Sequence, residues 1–202
     1  MTLRCIGDVH GMFRAYESLI RRHNGTVQVG DMGIGFGNDA PSEALMVSSD
    51  AGFIRGNHDN PAECRQHSRY IPDGAYKDGV MYIGGAYSID HAWRTPGKSW
   101  WADEELDYSV LHELTEKYAE VQPTVMITHD CPAIIAGILA GQQRLSLKSE
   151  WASRTRLAFD AMHRRHQPKL WIFGHWHVSF ETEHQGTRFV CLDELEYREF
   201  EI

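Results

Sequence analysis

A short apolar run, Leu3, Cys5 and Ile6, ends at Gly7-Asp8-Val9-His10-Gly11, and an amphipathic stretch follows at once. An apolar run of strand length feeding a helix-period pattern predicts a buried strand and then a helix. Positions i and i+2 of a strand project from the same face, so Asp8 and His10 leave its C-terminal end together. That is the end at which open α/β sheets bind their ligands. A carboxylate oxygen beside an imidazole nitrogen suits a borderline divalent metal such as zinc, manganese or iron. Taken alone, the pair also fits a strand-end carboxylate next to a turn histidine.

The pattern recurs. Predicted strands over 26–29, 52–55, 124–128 and 169–173 end at Gly30-Asp31, at Gly56-Asn57-His58-Asp59, at His129-Asp130 and at Gly174-His175-Trp176-His177. Helices are predicted over 12–23, 39–49 with Pro41 in its first turn, 61–70, 103–120 and 151–166. In the fourth of these, Asp103, Glu104 and Glu105 are read as the helix's first turn, where the helix dipole favours negative charge, rather than as a cation site. Further strands are predicted over 80–83, 188–192 and 196–202, with an extended piece running to Ile89. Strands alternate with helices early and dominate late, so the expectation is one α/β domain over residues 1–202.

A formal net charge of −8, from 20 basic and 28 acidic residues, argues against sequence-blind binding to nucleic-acid backbones. The four cysteines are far apart and form no Cys-x-x-Cys, which argues against a cysteine zinc site or a disulfide scaffold. No apolar run approaches the roughly 20 residues of a membrane span, and no signal peptide is visible. A cytoplasmic protein without a membrane or nucleic-acid partner is expected; the oligomeric state stays open.

Five strand ends thus carry metal-ligand side chains: Asp8 with His10, Asp31, Asn57 with His58, His129, and His175 with His177. Converging, they would supply two carboxylates, an amide oxygen and several imidazoles, a donor set for two divalent ions sharing a carboxylate. In order, Asp-x-His, Gly-Asp, Gly-Asn-His-Asp, a later His and Gly-His-x-His, the set resembles the calcineurin-like metallophosphoesterases, over nearly the whole chain. The resemblance implies an α/β four-layer sandwich, two mixed β-sheets flanked by helices. It implies Asp8, His10 and His177 on a first metal, Asn57, His129 and His175 on a second, and Asp31 bridging. The ions would be Mn²⁺ first, with Fe, Zn²⁺ or Ni²⁺ also fitting.

The activity implied is hydrolysis of a phosphoric ester by metal-activated hydroxide, with His58 as proton donor to the leaving oxygen. Asp59 would either orient that imidazole or cap the helix at Pro61. The protein Ser/Thr phosphatase branch continues its Gly-Asp with an aspartate and a phosphate-gripping arginine, where this chain has Met32-Gly33-Ile34-Gly35. That branch also has Glu in place of Asp59. These departures point to a phosphodiesterase-like branch and a small phosphodiester such as a cyclic nucleotide or a 2′,3′-cyclic phosphate. The segments from Gly84 to Asp90 and at Trp100-Trp101 bring the resemblance nearest to compact bacterial and phage members. A phosphomonoesterase is the second reading, and a non-catalytic scaffold on the same fold the third. Arg55 and Arg94 are candidate replacements for the missing arginine, and Tyr87 and Trp100 candidate walls for a stacked base. Asp130 is expected to support a metal-binding histidine. His23, His67, His91, His112, His163, His166 and His184 are read as surface residues.

Overall fold

The computed structural model describes residues 2–37, 40–145 and 153–202. The strand leading into Asp8, β1 (Thr2–Ile6), pairs in parallel with β2 (Thr26–Gln28), and β2 pairs in parallel with β3 (Gly52–Phe53). At the other edge of this sheet β10 (Tyr197–Glu201) runs antiparallel to β1. A second sheet is built from β4 (Tyr76–Lys77), β5 (Val80–Ile83), β6 (Val125–Thr128), β7 (Leu170–Phe173), β8 (Phe180–His184) and β9 (Thr187–Cys191). Its order is β4-β5-β6-β7-β9-β8, parallel through the centre and antiparallel at both edges.

Period-two alternation sorts the side chains into layers. Val125 and Ile127 of β6 and Leu170 and Ile172 of β7 meet Cys5, Val27, Val29 and Ile54 in a core between the sheets. Their neighbours Met126, Trp171 and Phe173 point the other way, under α4 (Tyr108–Val121), α5 (Ala133–Gln143) and α6 (Arg154–Arg165). On the outside of the first sheet, Tyr16 and Ile20 of α1 (Phe13–Ile20) and Met46 of α2 (Glu43–Ser48) pack on Ile6 and Phe53. This is the expected sandwich of two mixed sheets flanked by helices. Strands covered on both faces show no polar alternation, which is why β6 and β7 are legible as unbroken apolar runs.

Several boundaries differ from expectation. The predicted helix over 61–70 is a single turn, α3 (Pro61–Cys64), capped by the Asn60 side chain, which accepts from Ala62 N–H at 3.1 Å. Beyond it, Phe53 N–H donates to Arg69 C=O and Ile71 N–H to Phe53 C=O, so β3 draws residues 69–71 away from a helix. The helix predicted from Asp103 begins at Tyr108, because Glu104 and Glu105 are buried and accept hydrogen bonds from Ser88 and from Ser153 and Thr155. Ser42 caps α2, so Pro41 lies outside it. The predicted helix starts at Asp39 and Trp151 fall outside the described residues. Helix α5 is apolar on nearly every face and offers no helical period to read. His163 is buried rather than exposed, with its Nε2 3.0 Å from Thr187 Oγ1. Among the described residues no helix is long and apolar enough to cross a membrane.

Candidate metal centre

Strands β1, β2 and β3 run side by side in parallel, as do β6 and β7, so the connections leaving their C-terminal ends emerge along shared edges. Asp8 and His10 follow β1, Asp31 follows β2, Asn57 and His58 follow β3, His129 follows β6, and His175 and His177 follow β7. Two donor clusters result, each with its atoms within 4.8 Å of one another: Asp8, His10, Asp31 and His177, and Asp31, His129 and His175. Asn57 Oδ1 lies 3.1 Å from His129 Nε2 and joins the second cluster. Asp31 belongs to both. All seven side chains singled out as ligands are therefore brought together.

Local backbone geometry aims them. His10, Asp31, His175 and His177 have φ of 46°, 57°, 70° and 48°. For residues with a Cβ this left-handed region costs on the order of 1–3 kcal/mol each and persists where surrounding contacts hold it. Asp31 C=O accepts from both Val9 and His10 N–H at 2.9 and 2.8 Å, and Asp8 Oδ2 accepts from His175 N–H at 2.9 Å. Two motif glycines leave room for the carboxylates: a Cβ would lie 2.0 Å from Asp31 Oδ1 at Gly56, and 2.1 Å from Asp8 Oδ1 at Gly174.

The electrostatics call for positive charge between these groups. Asp8 and Asp31 are buried together. Asp31 Oδ1 accepts from His58 N–H at 2.6 Å, whereas its buried Oδ2 has no hydrogen-bond partner. His10 and His177 face each other with their Nε2 atoms 2.8 Å apart. His129 Nδ1 donates to Val29 C=O at 2.9 Å, which turns Nε2 into the site, 3.2 Å from Asp31 Oδ1. Burial pushes the Asp8 carboxyl above its ordinary pKa. Burial opposes the charging of His129, but Asp31 and then Asp8 outweigh it and push this imidazole up to about 10. His175, by contrast, is held down by burial to about 3 and stays neutral. An orphaned carboxylate oxygen, converging imidazoles and a mixed nitrogen and oxygen donor set fit a pair of divalent ions.

A family model described as calcineurin-like phosphoesterase matches residues 1–179. The chain belongs to this family. As a calcineurin-like phosphoesterase it is a metal-dependent hydrolase of phosphoric esters, which accords with the two donor clusters. Among solved structures it is similar in shape to GAP50, the anchor in the inner membrane complex of Plasmodium, at 11% identity and TM-score 0.49, covering 95% of this chain and 71% of that one. It is likewise similar to phosphopantetheinyl hydrolase (PptH) from Mycobacterium tuberculosis, at 14% identity and TM-score 0.47, covering 96% and 89%. At these values the likeness says nothing about chemistry. No curated protein matches the chain.

Around the donors, this phosphoesterase arranges its other predicted residues unevenly. His58 lies edge-on to His10, its ring centroid 4.9 Å away, and under Phe36 at 5.6 Å. Arg94 Nη2 donates to His58 Nε2 at 2.5 Å, Nη1 donates to Asn57 C=O at 3.2 Å, and Asp90 pairs with the guanidinium at 2.7 Å. Burial, with Arg94 acting the same way, holds the His58 pKa below 6.5 against the pull of Asp31. His58 borders two cavities, one of about 410 Å³ walled by Phe13 and Phe36, the other of about 490 Å³ walled by Arg94, Arg156 and Trp176.

Several expectations need correction. Arg55 is fully buried: Nε donates to Asp73 at 3.0 Å and Nη1 to the carbonyls of Asp103 and Glu104, so it cannot reach a substrate. Asp59 neither orients His58 nor caps α3. Its two oxygens are taken by the N–H groups of Met32, Gly33, Ile34 and Gly56, lacing the loop after β2 to the loop after β3. Tyr87 and Trp100 border neither cavity and pack about His91 instead. Phe13, Phe36 and Trp176 form the aromatic walls.

Asp130 Oδ2 lies 3.9 Å from His175 Nε2, too far for a hydrogen bond. Asp130 accepts instead from Arg156 Nε at 2.6 Å and Trp176 Nε1 at 3.1 Å, so its expected direct support of a metal-binding histidine is absent. Arg156 and Glu194, the latter 3.6 Å from His177 Nδ1, were not anticipated. One lies in α6 and the other in the turn before β10, and neither is adjacent to a motif.

Proposed function

We propose that this phosphoesterase hydrolyses a small phosphodiester, with cyclic nucleotides and 2′,3′-cyclic phosphates as the leading candidates and His58 as the proton donor. Asp8, His10 and His177 would hold one divalent ion, Asn57, His129 and His175 the other, and Asp31 both. Manganese is the first choice, and iron, zinc and nickel suit the same donors. Bound ions supply a hydroxide nucleophile near neutral pH and neutralise the phosphoryl oxygens.

The observation that favours a diester is the pairing of the arginines. Arg94 is matched by Asp90 at 2.7 Å and Arg156 by Asp130 at 2.6 Å, so neither described arginine in the cavity wall brings surplus positive charge. A monoester dianion needs such charge more than a diester monoanion does. Cavities on both sides of His58 also suit a phosphate carrying two substituents.

A phosphoryl oxyanion is a stronger acceptor than a neutral imidazole, so bound substrate draws Arg94 off His58 Nε2 and frees that nitrogen. The added negative charge raises the proton affinity of the imidazole. His58 can then carry the proton that the leaving oxygen takes. The test is a comparison of bis(4-nitrophenyl) phosphate with 4-nitrophenyl phosphate in the presence of Mn²⁺. A higher kcat/KM on the diester is expected; the reverse order would make the protein a monoesterase. Uptake of less than about one ion per chain, unrelieved by added Mn²⁺, would make it a scaffold.

A further inference from the structure

A carboxamide is nearly symmetric in shape, yet only one of its two ends can bind a cation. Turned about its last bond, Asn57 would present an NH₂ group where the second metal position needs an oxygen. Its orientation must therefore be set by whatever accepts from Nδ2. Nδ2 donates to Ser88 Oγ at 3.0 Å, which leaves Oδ1 facing His129 Nε2 at 3.1 Å. Ser88 Oγ in turn donates to Glu104 Oε2 at 2.8 Å, and Ser88 N–H donates to Oε1 at 3.0 Å. A hydroxyl that has given its proton to a carboxylate has only lone pairs left to offer Asn57. The direction of the chain of bonds is thus imposed from Glu104.

Nothing in this chain competes with water: Asn57, Ser88 and Glu104 are 2%, 1% and 3% exposed. Glu104 is itself fixed from the loop that carries Asn57, because Arg55 Nη1 donates to the Glu104 carbonyl at 2.8 Å. The backbone of Gly85 closes on the same carbonyl, where a Cβ would lie 2.3 Å away. The contacts form a ring from Arg55 through Glu104 and Ser88 back to Asn57, two residues on. The buried arginine builds the support of a ligand instead of gripping a phosphate.

We propose that Ser88 and Glu104 are positioning residues for the second metal position, holding the Asn57 oxygen toward the ion. This rests on Asn57 being a ligand, as in the proposed function. The test is calorimetric titration of Mn²⁺ into chelator-stripped wild-type, Ser88→Ala, Ser88→Thr, Glu104→Gln and Asn57→Ala proteins, with melting of the stripped proteins as a separate reading of folding. Ser88→Ala should weaken one of the two binding events by roughly 10–100-fold and leave the other unchanged. Ser88→Thr, which keeps the hydroxyl, should restore it. Glu104→Gln preserves shape but offers a donor to Ser88 Oγ, so the flipped amide becomes tolerable and the same event should weaken.

Wild-type affinities for both ions in Ser88→Ala and Glu104→Gln would overturn the proposal, as would equal loss of both events alongside a fall in melting temperature. If Asn57→Ala also keeps both ions, the ligand assignment itself is wrong. If wild-type protein binds two ions but cleaves no diester, the substrate reading fails and the positioning role stands.

Discussion

The contact from Arg94 to His58 Nε2 holds the nitrogen proposed as the proton donor against a guanidinium in the cavity wall. His58 is bonded to the metal-side groups only through its backbone, by donation to Asp31 Oδ1. His58→Ala should therefore lower kcat by roughly 10²–10⁴-fold while both ions are retained. Metal analysis of the variant beside its kinetics checks this, and loss of metal together with activity would make His58 a ligand. At this scale the donors were legible because metal binding demands particular residue types, and because the adjoining Gly56 and Gly174 occupy positions where a Cβ would strike a carboxylate. Arg55, Asp59 and Glu104 were not. A buried arginine, a loop-lacing aspartate and a buried glutamate look the same in sequence as exposed ones, and only their partners tell them apart.

Between elements, the sheets are joined at one edge by charge as well as by their shared apolar core. Glu181 on β8 accepts from Arg188 on β9 at 2.7 Å and from Arg198 on β10, in the other sheet, at 2.9 Å. Hydrogen bonds from Arg188 and then Arg198 hold the Glu181 carboxyl at about 2, down from 4.5. A depressed carboxylate stabilises the fold above its unfolded pKa and loses that contribution as pH falls through its folded one. Glu181→Gln should thus cost under about 1 kcal/mol near neutral pH, since the pair is exposed. The gap in urea midpoints between variant and parent should narrow as pH falls from 4.5 to about 2. A gap unchanged with pH would mean that the pairing contributes nothing. The elements legible in sequence were those with a strong period or a continuous apolar run. The early end of helix α3 at Cys64 and the extended segment at 69–71 were not, because pairing of 69–71 with β3 decides that segment's conformation.

Over the whole molecule, binding of ions by residues drawn from Asp8 to His177 is possible only when the chain is folded. Each ion present at 100 times its Kd would stabilise the native state by about 2.7 kcal/mol. Chelation should accordingly lower the melting temperature, and Mn²⁺ should restore it; an unchanged melting temperature would speak against bound metal. The order of residues by itself determined that strands end in carboxylates, amides and imidazoles, and hence the family and its chemistry, because a metal selects ligand types wherever they stand. Only the tertiary structure decided that those ends meet in two clusters, that Arg55 and Asp59 turn inward, and that Ser88 and Glu104 stand behind Asn57. Each of those outcomes rests on contacts between residues far apart in the chain, and no local period or propensity names a partner at that distance.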